Sequence, residues 1–155
     1  MPGRLALVLL VAGIAIRMLY PLPKLEPRTV SAHITDTGET PLGRGVAPLS
    51  RDQGEHSGLH RLNDGRDAFA ARILLARAAV RSLDIQYYIW HGDQSGTLLL
   101  EAVHQAADRG VRLRMLLDDN GIAGMDTVLA ALDQHPNIEI RLFNPFVLRH
   151  PKMLG

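Results

Sequence analysis

Three short stretches of this chain alternate apolar and polar residues, and two stretches between them repeat their apolar residues at helical spacing. Leu83, Ile85, Tyr87 and Ile89 alternate with Asp84, Gln86, Tyr88 and Trp90, which is the period of a strand. Val111, Leu113, Met115 and Leu117 form a second strand pattern, and Ile138, Ile140 and Leu142 a third. Between the first two lies an apolar stripe of Leu98, Leu99, Ala102, Val103 and Ala106, with Ser95 placed to cap it and Gly110 as its left-handed stop. A shorter helix is predicted near 125–134, ended by Pro136. Upstream, Asp64 caps a helix whose face carries Phe69, Ile73, Ala76 and Val80, and Asp67 stands three residues after the cap as in a weak capping box. Arg72, Arg77 and Arg81 lie off that face and read as solvated.

Strand, helix, strand, helix, strand predicts crossover connections and an α/β domain with a mainly parallel βαβαβ sheet. Buried parallel strands usually read as unbroken apolar runs. These strands instead place Asp84, Arg112, Arg114, Glu139 and Arg141 at the off-face positions. The pattern therefore predicts an incomplete domain with one sheet face uncovered, on which the charges pair across strands.

The amino-terminal part has another character. After Arg4, residues 5–16 are an unbroken apolar run; Arg17 interrupts it and residues 18–22 extend it weakly. A basic start before a short apolar core is the pattern of a signal peptide or membrane anchor. The run is shorter than the ~20 residues that span a bilayer comfortably, unless Arg17 snorkels at an interface. Arg4 lies on one side and Arg17, Lys24 and Arg28 on the other, so positive charge does not choose an orientation. Residues 21–62 hold Pro21, Pro23, Pro27, Pro41 and Pro48 without a sustained period, and read as an extended connector that wraps over the domain. The predicted division is thus 1–22 signal or anchor, 23–62 extended linker and 63–155 incomplete α/β domain.

Composition narrows this picture a little. Of the 155 residues, 46% are hydrophobic, enough for a packed core. The 17 basic and 16 acidic residues leave a net charge of +1, which supplies no broad basic field for nucleic acid. There is no Cys, so disulfides, thiolate metal sites and Cys nucleophiles are excluded.

In open α/β sheets ligands gather at the carboxyl ends of the strands. Here those ends supply Tyr88, Trp90, Asp118, Asn120 and Asn144, the expected wall of a pocket. Alternation sends Tyr87 to one sheet face and Tyr88 and Trp90 to the other. Asp118 and Asp119 are too few for an octahedral cation cage, and Asp-Asp-Asn-Gly reads equally as a turn. His91, His104 and His135 are widely spaced on different elements and read as solvated rather than metal-ligating.

The succession SLDIQYYIW, GDQSGTLLLEAV, GVRLRMLLDDNG and NPF resembles the opening of a phospholipase D-type domain, in the branch of bacterial cardiolipin synthases. The resemblance covers roughly residues 29–150 and is best over 64–146; TGETPLGR at 37–44 resembles the region that precedes the domain in that branch. It implies a pair of His-x-Lys-x4-Asp motifs, in which one His attacks a phosphodiester to form a phosphohistidine and the other serves as acid and base. It implies no metal or other cofactor, a phospholipid substrate such as phosphatidylglycerol, and a place in or at the periplasmic face of a bacterial inner membrane. His150 and Lys152 have the motif's first spacing, but the Asp would fall two residues past Gly155, and Met153-Leu154-Gly155 is a poor start for the apolar strand that follows such a motif. They read as a decoy, leaving no catalytic residue in the chain. The expectation is an amino-terminal piece of a phosphatidyltransferase, inactive by itself. The alternatives are a non-catalytic binding or assembly module and a phosphodiesterase or nuclease of the same superfamily.

Overall fold

The computed structural model describes residues 2–19, 30–51, 53–54 and 56–145. Pro21, Pro23, Lys24, Pro27, Arg28, Phe146, His150 and Lys152, to which the sequence assigned roles, lie outside the described residues. The element order is α1 (Pro2–Leu19), α2 (Pro41–Ser50), α3 (Gly65–Ala78), β1 (Ser82–Tyr87), α4 (Gln94–Asp108), β2 (Arg112–Asp118), a 3-10 turn (Asp119–Gly121), α5 (Asp126–Leu132) and β3 (Ile138–Phe143).

The three strands form one parallel sheet with β2 in the middle. This is the α/β arrangement that the sequence predicts. Leu113, Met115 and Leu117 of β2 are wholly buried, and Leu83, Ile85, Tyr87, Ile140 and Leu142 pack beside them. The same cluster takes Leu99, Leu100, Val103, Ala106 and Ala107 from α4, Phe69 and Ile73 from α3, and Leu129 and Leu132 from α5. All three helices therefore share one hydrophobic cluster with one side of the sheet, and that is why the parallel strands alternate.

The other face carries the charges in register. Asp84 stands opposite Arg114, and Arg114 opposite Glu139. Arg114 donates two hydrogen bonds to Asp84, of 2.6 and 2.7 Å, and Arg141 donates one of 2.6 Å to Glu139. The connector lies on this face. Ser31 accepts from Arg114 through its carbonyl and its hydroxyl, at 3.1 and 3.2 Å, and Ala32 carbonyl accepts from Arg112 at 2.8 Å. A groove of about 380 Å³ remains beside it, lined by Asp84, Gln86, Arg114, Leu116 and Arg141 among others.

The helix ends show which local expectations hold. Asp64 caps α3, accepting from Arg66 N–H at 2.8 Å. Val80 is not on its face: α3 ends at Ala78 and Val80 is half exposed. Gly110 stops α4 with φ of 90°. Its N–H bonds Ala107 carbonyl at 2.8 Å and the next N–H, of Val111, bonds Ala106 carbonyl at 3.1 Å, a Schellman pair that also buries Val111. The cap of α4 is Asp93, not Ser95: the Asp93 carboxylate accepts from Gly96 N–H and from Ser95 hydroxyl, both at 2.8 Å. The buried stripe of α4 includes Leu100 and leaves Leu98 half exposed, the reverse of the sequence expectation.

The connector is not extended throughout. Thr40 caps α2, accepting from Gly43 N–H at 3.0 Å, and Pro41 takes the first helical position. Gly43, Gly45 and Pro48 are poor helix formers and hid this helix from a search for periodicity. The apolar leader forms α1, with no buried residue.

Candidate functional site at the carboxyl ends of the strands

β1 ends at Tyr87, and the chain then turns through residues 88–93 into α4. Two glycines receive that turn. A Cβ on Gly121 would lie 1.9 Å from Tyr88 carbonyl oxygen, and one on Gly96 would lie 1.9 Å from His91 carbonyl oxygen. Only glycine allows the backbones to approach so closely. Trp90 N–H donates to Gly121 carbonyl at 2.9 Å, joining the end of β1 to the turn after β2.

Asp118 forms the second link. One carboxylate oxygen accepts from Asn120 N–H at 2.8 Å and caps the 3-10 turn; the other accepts from Asn144 side-chain amide at 3.2 Å. Asn144 holds a left-handed φ of 49°, a conformation that Asn tolerates better than most residues. The structure therefore brings Asp118, Asn120 and Asn144 into one hydrogen-bonded group at a strand-end rim. Asp118 and Asp119 are both buried. With each Asp118 oxygen already engaged, the turn that the sequence suggested describes Asp118 better than a cation site does.

The aromatic residues separate differently from the expected alternation. Tyr88 is exposed and stays on the rim. Trp90 is 3% exposed and joins the hydrophobic cluster, its ring 4.7 Å from Tyr87 in an edge-on contact. Its indole N–H donates to Gly96 carbonyl at 3.3 Å. The strand stops at Tyr87, so alternation no longer governs Trp90. The ring still borders a small cavity of about 170 Å³ with Phe69, Arg72, Tyr87, His91 and Asp93. Arg72 lies 5.8 Å from the centre of the Tyr87 ring.

Two carboxylates are tuned by this framework. The Arg114 hydrogen bonds hold Asp84 below its ordinary value, against a smaller desolvation effect. The N–H of Gly96 and the hydroxyl of Ser95 do the same for Asp93.

The histidines correct the sequence reading. His104 and His135 are not isolated: their ring centres are 5.6 Å apart, and both flank Asp108, at 3.6 and 3.3 Å. Three such ligand atoms within 4.8 Å of one another invite a metal. The hydrogen bonds argue otherwise. His135 Nδ1 accepts from Asn137 N–H at 3.1 Å, so the neutral ring carries its proton on Nε2, the atom that faces Asp108. A metal at Nε2 needs that proton removed and the other nitrogen donating. The trio latches the turn before β3 to the end of α4, beside Asn137 side-chain amide on Ala107 carbonyl at 3.0 Å.

A three-stranded parallel sheet with α3, α4 and α5 against one face is an α/β arrangement consistent with part of a phospholipase D-type domain. Similarity to known proteins narrows this. Cardiolipin synthase C of Escherichia coli is 52% identical over 114 residues, 74% of this chain and 24% of that protein. An uncharacterized protein of Helicobacter pylori is 37% identical over 115 residues, 74% of this chain and 23% of that protein. The major cardiolipin synthase ClsA of Bacillus subtilis is 38% identical over 60 residues, 39% of this chain and 12% of that protein. The chain belongs to the cardiolipin synthase-like branch of the phospholipase D superfamily. It spans about a quarter of the length of the first two relatives. No protein-family model matches. Among solved structures, TrmBL2, an archaeal chromatin protein, is 18% identical with a TM-score of 0.41, covering 68% of this chain and 42% of that one, a likeness that decides nothing.

Proposed function

We propose that this chain supplies the opening α/β portion of a phosphatidyltransferase of the cardiolipin synthase type, working on phosphatidylglycerol-like lipid at a bacterial inner membrane. The observation that carries the reading is the 52% identity to a cardiolipin synthase over 114 residues of this chain. In the resemblance, a motif His attacks the phosphodiester phosphorus and the bond to the leaving glycerol breaks, giving a phosphohistidine. A second His protonates that glycerol oxygen, then takes the proton from the acceptor hydroxyl that attacks the phosphohistidine. Water as acceptor gives phosphatidic acid; a second phosphatidylglycerol gives cardiolipin.

The part proposed for residues 63–145 is to build the wall beside the motif histidines that the resemblance implies. Tyr88, Asn120 and Asn144 are the rim residues proposed to face the lipid headgroup, with buried Asp118 holding Asn120 and Asn144 in place. Trp90 holds the rim from behind. α1, long and apolar enough to cross a membrane, is proposed as the anchor that keeps the rim near its substrate. A net charge of +1 gives no support to the nuclease alternative.

The test is to read the coding DNA past codon 155. Two in-frame His-x-Lys-x4-Asp motifs are expected. A stop codon at that point would leave the chain as a binding module and remove the catalytic reading.

A further inference from the structure

α2 has no buried residue, although it is a formed, capped helix of ten residues. Leu42, Val46 and Leu49 stand at i, i+4 and i+7, so they share one stripe along it. They are 36%, 58% and 75% exposed. Arg44 and Arg51, also seven residues apart, fall on the opposite side by helical geometry. A helix this short, with Gly43, Gly45 and Pro48 inside it, does not hold together in water on propensity alone. Its order calls for a surface against the stripe, and among the described residues the α/β domain leaves Val46 and Leu49 more than half exposed.

We propose that the Leu42, Val46 and Leu49 stripe docks on the lipid surface in which α1 is inserted. An aliphatic stripe with arginines on the polar side is the composition of a helix that lies in the interface plane. The chain path favours lipid over a protein groove. Val30 follows Leu19 by eleven residues, so the bonded chain holds it within about 40 Å of the end of α1. From there residues 31, 32 and 36 are pinned to the domain, by Arg114, Arg112 and Arg81, and α2 begins five residues later. An inserted α1 thus keeps α2 near the bilayer, and three aliphatic side chains suffice where they need not capture the membrane alone. The docked helix would set the height and tilt of the domain, and hence of the strand-end rim, above the lipid headgroups. The inference rests on the anchor part of the proposed function and not on the catalytic part.

The absence of Cys makes single labelling sites simple to introduce. The full chain is reconstituted in vesicles of phosphatidylethanolamine and phosphatidylglycerol in equal parts. A polarity-sensitive fluorophore is placed at Val46→Cys or Leu49→Cys, with Ala47→Cys, Thr127→Cys and Leu9→Cys as comparisons. The expected result is blue-shifted emission at positions 46 and 49, quenched by lipids carrying a nitroxide near the headgroup, with positions 47 and 127 unquenched. Position 9 is quenched instead by nitroxides deep in the acyl chains. Unquenched labels at 46 and 49 beside a quenched label at 9 would overturn the inference and leave the anchor intact. A blue shift at 46 and 49 without lipid quenching would also overturn it, because a protein face would then cover the stripe. An unquenched label at 9 would overturn the anchor and the inference together.

Discussion

Asp84 and Arg114 meet across β1 and β2 through two parallel hydrogen bonds, with Ser31 of the connector accepting from the same guanidinium. One arginine therefore ties two neighbouring strands to the segment that leads back toward α1. The pair is partly open to water, its side chains 44% and 23% exposed, so its worth is that of a well-formed surface pair. Asp84→Asn is expected to cost about 1 kcal/mol in thermal unfolding of the detergent-solubilised chain at neutral pH.

The sign of its pH dependence follows from the lowered Asp84 pKa. A carboxylate whose folded value lies below its unfolded one stabilises fully above the unfolded value. That contribution is lost as pH falls from the ordinary carboxylate range through the lower folded value of Asp84. The wild type and Asp84→Asn should therefore differ most at neutral pH and converge in acid. Unfolding scans of both proteins across that range check it, and a gap that widens in acid would contradict the pairing.

The fit at Gly121 predicts a second outcome. A methyl group there meets Tyr88 carbonyl oxygen and the Ile89 backbone, neither of which yields as a flexible side chain would. Gly121→Ala is expected to cost about 3 kcal/mol. Gly124→Ala, where the space is open but φ is 81°, should cost only about 1 kcal/mol. Denaturant midpoints of the two variants give the comparison.

The start of α4 separates two candidate caps. Asp93→Ala should lower the denaturant midpoint, since it leaves the Gly96 amide without its acceptor. Ser95→Ala should cost less, because Ser95 hydroxyl only donates to Asp93. A larger loss for Ser95→Ala than for Asp93→Ala in the two unfolding curves would contradict Asp93 as the cap.

The two neighbouring aromatics make a fourth contrast. Trp90→Ala should cost about 3–5 kcal/mol, as removal of a buried aromatic does. Tyr88→Phe should change stability by no more than about 0.5 kcal/mol, because the ring is exposed. If the extended reading frame makes cardiolipin, Tyr88→Phe acts on that activity rather than on the melt.

These contrasts also mark how far the sequence could be read. Leu83, Ile85, Leu113, Met115, Ile138 and Ile140 announced the strands because only one sheet face is covered, so period two survived in a parallel sheet. Asp64 and Gly110 announced helix ends because each acts on atoms within a few residues of itself. Ser95 misled because Asp93 and Ser95 are both good caps, and the turn after β1 decides between them. Trp90 misled because the strand stops at Tyr87, a boundary that Gly96 and Gly121 help to set from α4 and the turn after β2. His104 and His135 looked independent because thirty-one residues separate them, and the return of the chain from α5 into β3 brings them together around Asp108. α2 was hidden because its glycines and Pro48 contradict its spacing, and the legible trace was the Thr40–Pro41 start with Leu42, Val46 and Leu49.

The most direct measurement is the lipid content of a bacterium that makes no cardiolipin of its own, carrying the continuous coding frame that begins at codon 1. The account predicts that cardiolipin appears with that frame and not with residues 1–155 alone. No cardiolipin from the whole frame, with the protein present in the membrane, would contradict the assignment to phosphatidyl transfer.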